Sequence, residues 1–229
     1  MPTNVLQLNT QTKYTHNRLA LPYIGLSSLA ISLSIVSTVQ AQSEIVPVYG
    51  IVLAAIASAT LGELNGNSVL KTLDSTTAKR QLSFLQGRQD DELSVSRLAM
   101  RWEYSLPVWQ NTQWRVTSAL EASYGYWNIP NRYQPEHNQD IGLTPIFKWQ
   151  KATYPNLSAE SGVGVHGLET TQVRNDNKST QFQFGDQMGI GWENDQFRIG
   201  YRYLHISNAN IKLPNPATDF HNIEIGYRF

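Results

Sequence analysis

The 229-residue chain has no cysteine, which removes disulfide frameworks, thiolate metal sites and cysteine nucleophiles from consideration. It is also poor in charge. Asp, Glu, Lys and Arg make up 16% of the residues, where a soluble domain typically carries about 25%. The 18 basic and 18 acidic side chains cancel, so there is no electrostatic basis for a nucleic-acid partner. Beyond about residue 80 no apolar run approaches the roughly 20 residues of a membrane-spanning helix. What remains is a chain with 10% aromatics and 15 glycines whose surface is not built to face water everywhere.

The N-terminal part has the plan of an export signal. Residues 1–18 carry Lys13 and Arg18 and no acid, and an apolar run from Leu19 to Val36 leads to Val39-Gln40-Ala41. A positive segment, an apolar core and a small-x-small site predict a leader over residues 1–41, cleaved after Ala41. A second apolar stretch, Ile45 to Leu61, contains Ala57-Ser58-Ala59 and offers an alternative processing site after Ala59. An uncleaved anchor is the competing reading. Residues 42–79 form an N-terminal extension to which the sequence gives no structure.

From residue 80 to 229 the dominant period is two. Trp114, Val116, Leu120, Ala122, Tyr124 and Tyr126 share one face of a strand, as do Ile141, Leu143, Pro145, Phe147 and Trp149, and Phe182, Phe184, Met188, Ile190 and Trp192. Eight such segments appear, at about 80–88, 92–105, 113–127, 139–151, 157–168, 180–193, 196–207 and 218–229, each near the length of a tilted spanning strand. A lipocalin-like soluble barrel has the same period with its apolar face turned inward. The opposite faces here carry Arg101, Glu103, Arg115, Glu121, Glu160 and Arg202, too polar for a dry interior but suited to the lumen of a small membrane barrel. Trp102, Tyr104, Tyr124, Tyr126 and Trp192 sit near strand ends, as interfacial girdles do. The chain ends on Ile223, Ile225, Tyr227 and Phe229 at alternate positions, which resembles the C-terminal assembly signal of bacterial outer-membrane barrels. The expected fold is therefore an all-β, eight-stranded antiparallel transmembrane β-barrel of the outer membrane. With a periplasmic C-terminus, the links at 106–112, 152–156 and Asn194-Asp195 fall inside, and the links at 128–138, 169–179 and 208–217 outside. The short link at 89–91 also falls outside.

The seventh strand continues its outward row as Phe197, Ile199, Tyr201, Tyr203, His205, Ser207. At a rise of about 3.3 Å per residue the last two have Cα atoms about 6 to 7 Å apart, and their side chains can close that gap to a hydrogen bond. A hydroxyl and an imidazole in reach of each other have the makings of an activated nucleophile once a carboxylate orients the histidine. Symmetric pairing across the 208–217 loop sets Ser207 opposite Asp219 and His205 opposite His221, leaving Asp219 diagonal to His205. Asp186 is also placed diagonal to His205 on the outward face. Glu224 has the parity of the lumen.

The run His205-Ile206-Ser207-Asn208-Ala209-Asn210-Ile211-Lys212-Leu213-Pro214-Asn215, preceded by Tyr201-Arg202-Tyr203 and followed by Asp219, closely resembles the signature of the lipid A 3-O-deacylase (PagL, acyloxyacyl hydrolase) family. Weaker similarity extends through Phe184-Gly185-Asp186, Pro145, Ala122 to Trp127 and Arg97 to Trp102, so it covers about residues 80–229. The resemblance implies an eight-stranded outer-membrane barrel that removes an ester-linked acyl chain from lipid A with a His-Ser-Glu triad on its outer wall. His205 and Ser207 match the first two members. Asp219, one methylene shorter, stands at the place of the Glu. Asn208 matches a residue implicated in oxyanion stabilisation, and Asn215 is a second candidate there. The implied partners are lipid A or lipopolysaccharide and the outer-membrane lipids; no metal or cofactor is implied, and association as a homodimer is left open.

Other polar residues have plainer readings. His221 is interfacial polarity or a contact to a phosphate or leaving hydroxyl, Lys212 a solvated loop lysine or a contact to an anionic headgroup, and His137 and His166 have no metal-ligand partner. A non-enzymatic small barrel with structural, adhesive or lipid-binding duties is the alternative function.

Overall fold

The computed structural model describes residues 45–64 and 79–229, so the leader expected over residues 1–41 lies outside the described residues. In chain order the elements are a helix α1 (Ile45–Leu64) and the strands β1 (Lys79–Arg88), β2 (Ser94–Gln110), β3 (Trp114–Asn128), β4 (His137–Lys151), β5 (Tyr154–Leu168), β6 (Gln172–Val173), β7 (Asp176–Asn177), β8 (Phe182–Glu193), β9 (Phe197–Ser207) and β10 (Thr218–Arg228). The eight long strands close into an antiparallel barrel in the order β1-β10-β9-β8-β5-β4-β3-β2, and β6 and β7 form a small hairpin within the link between β5 and β8. This is the architecture predicted from the period-two pattern.

One strand differs in extent. β2 continues to Gln110, five residues beyond the expected end, through register shifts between Glu103, Pro107 and Trp109. Proline donates no ladder hydrogen bond, so a strand that contains one bulges there. The link to β3 shrinks to a tight turn in which the Asn111 side chain accepts from the backbone N–H groups of Gln113 and Trp114, both at 2.8 Å. Tyr104, beside the bulge, is buried and lines the periplasmic mouth of the barrel instead of joining an outer girdle.

Alternation sorts the side chains as the strands demand. Inside, Arg101 bonds Glu121 at 2.9 Å and Glu160 at 3.0 Å, Arg202 bonds Glu121 at 2.7 Å and Glu224 at 2.8 Å, and Arg198 reaches Glu160 at 3.1 Å. All six are buried. Each charge in this lumen network has an opposite partner, and deleting one leaves an uncompensated buried charge at a cost of about 3–5 kcal/mol. Glu224 thus belongs to the lumen, as its parity predicts. Arg115 lies apart at the periplasmic mouth, where it helps line a cavity of 590 Å³ with Glu103, Lys148, Glu193 and Arg228. Toward the other end the lumen turns apolar, filled by Leu93, Val95, Trp127, Ile129, Leu168, Leu204, Ile206 and Phe220.

Outside, Leu82, Phe84, Leu98, Ile141, Leu143, Ile190, Ile199, Ile223 and Ile225 are exposed in one belt. Such a surface is a liability in water and is what a bilayer requires. The turns at residues 111–113, 152–153 and 194–196 are short, and the links at 129–136, 169–181 and 208–217 gather at the opposite, extracellular end. Two of them are tied to the β1–β2 link: Arg174 donates to Asp90 at 2.7 Å, and Arg132 pairs with Glu92.

Helix α1 accounts for part of the segment to which the sequence assigned no structure. Ile51, Ala55, Ser58 and Gly62 form its buried stripe, at the i, i+4, i+7 and i+11 spacing of one helix face. The helix packs on the outer wall over β2, β4, β5 and β8. Ala55 and Ala59 meet Val108, Val116, Phe147, Trp149 and Val163, and the Trp149 indole donates to Ser58 Oγ at 3.0 Å.

Candidate functional site

Two short stretches of alternating sequence build the site. In β9, Leu204 and Ile206 point inward and are 2% and 0% exposed, as is Phe220 of β10 at 0%. These three belong to the apolar cluster of the upper lumen, and the Phe220 ring packs edge-on against Trp127 at 4.9 Å. Their burial fixes the faces of both strands, so His205, Ser207 and Asp219, one position removed in each case, must project from the outer wall.

The register of β9 and β10 differs from the symmetric pairing expected. His205 stands directly opposite Asp219, and His221 opposite Tyr203. The pairing is displaced by two residues, which preserves every face while bringing the acid closer to the imidazole. His205 Nδ1 lies 2.7 Å from Asp219 Oδ1, and the Ser207 Oγ lies 3.2 Å from His205 Nε2. A neutral imidazole protonated at Nδ1 satisfies both contacts: it donates to the carboxylate and accepts from the hydroxyl. The three residues form an unbroken hydrogen-bonded relay on the lipid-facing wall, at the end of the barrel with the long loops.

Asp186 is brought opposite His205 too, from β8 on the other side. The imidazole is therefore flanked by two carboxylates on neighbouring strands. Only Asp219 bonds it; Asp186 makes no side-chain hydrogen bond among the described residues.

Tyr203 and Lys178 were not singled out by the sequence. The Tyr203 hydroxyl donates to the same Asp219 Oδ1 that His205 uses, at 2.6 Å, so the acid is held from two sides. Its position two residues before His205 on the outward row was the available signal. Lys178, which follows the β6–β7 hairpin, is 1% exposed. Its ammonium donates to the Pro216 carbonyl at 2.6 Å and to Thr218 Oγ1, next to the acid. Burial pulls its pKa down to about 8, with the nearby Asp176 and Asp219 carboxylates opposing the shift.

Asn208 and Asn215 lie in the loop that follows Ser207. Asn208 is 0% exposed, and both of its amide hydrogens are engaged, on the Lys178 carbonyl at 3.0 Å and the Lys212 carbonyl at 2.7 Å. Its backbone N–H donates to Asn215 Oδ1 at 2.8 Å. In this arrangement the two asparagines stitch the loop to its neighbours. Ala209 and Asn210 follow with φ of 51° and 61°, the two central residues of a tight turn closed by the Ile211 N–H on the Asn208 carbonyl at 3.0 Å.

The other histidines among the described residues stay apart from the relay. His166 Nδ1 pairs with Asp140 at 2.7 Å inside the lumen, His137 stacks on Tyr126, and His221 Nδ1 lies 2.6 Å from the Tyr201 hydroxyl. Among the described residues no cluster of three or more His, Asp or Glu side chains is arranged to hold a metal ion. Lys212 is exposed in the loop.

Fold and site together define a small outer-membrane β-barrel that carries a serine–histidine–carboxylate relay on its lipid-facing wall. The family model for lipid A 3-O-deacylase (PagL) matches residues 96–228, and the chain belongs to that family. It is 33% identical over 116 residues to the lipid A deacylase PagL of Bordetella bronchiseptica, covering 50% of this chain and 64% of that protein. Against the lipid A deacylase PagL of Pseudomonas aeruginosa it is 29% identical over 132 residues, covering 56% of this chain and 73% of the relative. The crystal structure of the outer membrane enzyme PagL superposes with a TM-score of 0.58 at 24% identity, covering 64% of this chain and 97% of that one.

Proposed function

We propose that this protein is a lipid A 3-O-deacylase, hydrolysing the ester that links a 3-hydroxyacyl chain to lipid A in the outer leaflet. The observation that carries the reading is the relay itself, with Ser207 Oγ 3.2 Å from His205 Nε2 and His205 Nδ1 2.7 Å from Asp219 Oδ1 on an outward face. Family membership supports the substrate class.

Ser207 attacks the ester carbonyl while His205 Nε2 takes its proton, and the Asp219 carboxylate stabilises the imidazolium that forms. The tetrahedral oxyanion needs donors aimed at it. Because the Asn208 side-chain amide is committed to the Lys178 and Lys212 carbonyls, a backbone N–H of the loop that follows Ser207 fills this role, with Asn208 and Asn215 holding that loop in shape. His205 then protonates the departing sugar hydroxyl. A water molecule, deprotonated by the same imidazole, attacks the acyl-serine and releases the 3-hydroxy fatty acid. An exterior site suits this chemistry, since the substrate's acyl chains already lie in the bilayer and its ester reaches the wall laterally. A leader ending at Ala41 exports the chain, and the C-terminal pattern ending at Phe229 serves its assembly into the outer membrane.

Purified protein mixed with lipopolysaccharide tests the reading. The wild type releases 3-hydroxy fatty acid, and Ser207→Ala and His205→Ala each lose nearly all release. Substantial activity in either variant refutes these roles.

A further inference from the structure

The β9–β10 ladder stops one residue short of the nucleophile. Its last pair is Ile206 with Thr218, so Ser207 has a ladder partner in Phe184 of β8 and, among the described residues, none on β10. The relay nevertheless requires Ser207 and Asp219 to stay at fixed distances from His205, and beyond that last pair only the 208–217 loop joins their strands.

Lys178 bridges this opening. It follows the β6–β7 hairpin, which its own N–H closes by donating to the Thr171 carbonyl at 2.8 Å. Its carbonyl accepts from the Asn208 amide at 3.0 Å, and its ammonium donates to the Pro216 carbonyl at 2.6 Å and to Thr218 Oγ1. Asn208 follows Ser207 in the chain and Thr218 precedes Asp219; both are buried. A single residue from another loop thus grips the neighbour of the nucleophile with its backbone and the neighbour of the acid with its side chain. Ser179 adds a bond from its hydroxyl to the Pro214 carbonyl at 2.7 Å.

An ammonium is a costly filler for this space. Lys178 is 1% exposed, and an apolar side chain of the same volume would be buried without the loss of a cation's hydration. Packing therefore does not account for a lysine here, whereas its hydrogen bonds do. Among the described residues the ammonium bonds no side chain of the relay, so whatever it contributes to the reaction passes through the groups it holds.

We propose that Lys178 is a positioning residue that brackets Ser207 and Asp219 from the inner side of the wall and holds them at the spacing His205 requires. The inference rests on the deacylase reading above. A small displacement of a reacting group slows the chemical step steeply, and Lys178 lies behind the surface on which substrate binds, so the bracket acts on kcat and not on KM.

The test uses the full chain in detergent micelles with lipopolysaccharide as substrate. Lys178→Met, which fills the space and loses both ammonium bonds, should lower kcat about 10- to 100-fold with KM little changed. Because the chain has no cysteine, Lys178→Cys supplies a matched pair. Alkylated in urea with bromoethylamine and refolded, it carries an ammonium on a side chain of lysine's length; alkylated with bromopropane, it carries a methyl group at the same place. The aminoethyl adduct should recover most of the kcat of wild type taken through the same refolding, and the propyl adduct should behave as Lys178→Met does. The pair decides the matter even where Lys178→Met folds poorly. Equal kcat in the two adducts, an unchanged kcat in Lys178→Met, or a loss that falls on KM alone overturns the inference and leaves the deacylase reading intact. Wild-type protein that releases no fatty acid overturns both.

Discussion

His205 and Asp219 face each other directly across the β9–β10 ladder, with Nδ1 and Oδ1 2.7 Å apart. The aspartate occupies the place where a longer glutamate was the expectation from family resemblance, and the direct register compensates for the missing methylene. An acid diagonal to the imidazole would need the longer side chain; one directly opposite does not. Asp219→Asn keeps the shape but favours the wrong imidazole tautomer, so kcat should fall by about 10³-fold or more. Asp219→Glu should retain most activity. Steady-state release of fatty acid from lipopolysaccharide distinguishes the two, and equal losses in both would contradict the assigned role.

Tyr203 is predicted to act through Asp219, as a positioning residue. Its hydroxyl and the His205 ring share one carboxylate oxygen, so removing the hydroxyl frees a short side chain to rotate. Tyr203→Phe should lower kcat about tenfold, equivalent to about 1.4 kcal/mol, with KM little changed. In an Asp219→Glu background the same substitution should cost less, because the longer acid reaches the ring without that restraint. A purely structural contribution would give the same loss in both backgrounds.

Lys178 predicts a pH effect on stability. Its folded pKa of about 8 lies below the ordinary lysine value near 10.5, so between these limits the unfolded chain binds more protons than the folded one. Stability then rises with pH across that window by at most about 3 kcal/mol from this group, and below pH 8 the cost of burying the ammonium is fully felt. Thermal unfolding followed by circular dichroism at pH 7.5 and pH 10 should show a smaller alkaline gain in Lys178→Met than in wild type. An identical gain in both would remove Lys178 as its source.

The lumen network makes a separate prediction. Arg202 bridges Glu121 and Glu224, and Arg202→Met leaves both buried carboxylates short of a partner. The barrel should lose about 3–5 kcal/mol, read as a lower denaturant midpoint, while the outward relay keeps its register in molecules that remain folded. Exposed Arg88→Met, which removes a 4.0 Å ion pair with Asp91, should change stability by no more than about 0.5 kcal/mol.

Much of this was legible in the sequence because a strand has only two faces. Ile223, Ile225 and Tyr227 fixed the parity of β10, and from parity alone Asp219 falls outside and Glu224 inside. The count of eight strands followed from the same alternation. Register was harder to read, since shifting β9 against β10 by two residues leaves every face unchanged; the pattern could not tell direct from diagonal pairing for Asp219 or Asp186. The β2 bulge was hidden because Pro107 reads as a strand end. Helix α1 escaped because residues apolar all round carry no amphipathic period, and its buried stripe emerges only against the wall. The committed amide of Asn208 was invisible for another reason: its partners, the Lys178 and Lys212 carbonyls, are backbone atoms brought in by separate loops.

The mass of lipid A from cells that express this protein, compared with cells expressing Ser207→Ala, tests the central claim most directly. If the outward serine performs the reaction, wild-type cells show lipid A lighter by one 3-hydroxyacyl group and Ser207→Ala cells show the intact molecule. Intact lipid A in wild-type cells, with the barrel folded in the outer membrane, or equally shortened lipid A in both, would contradict it.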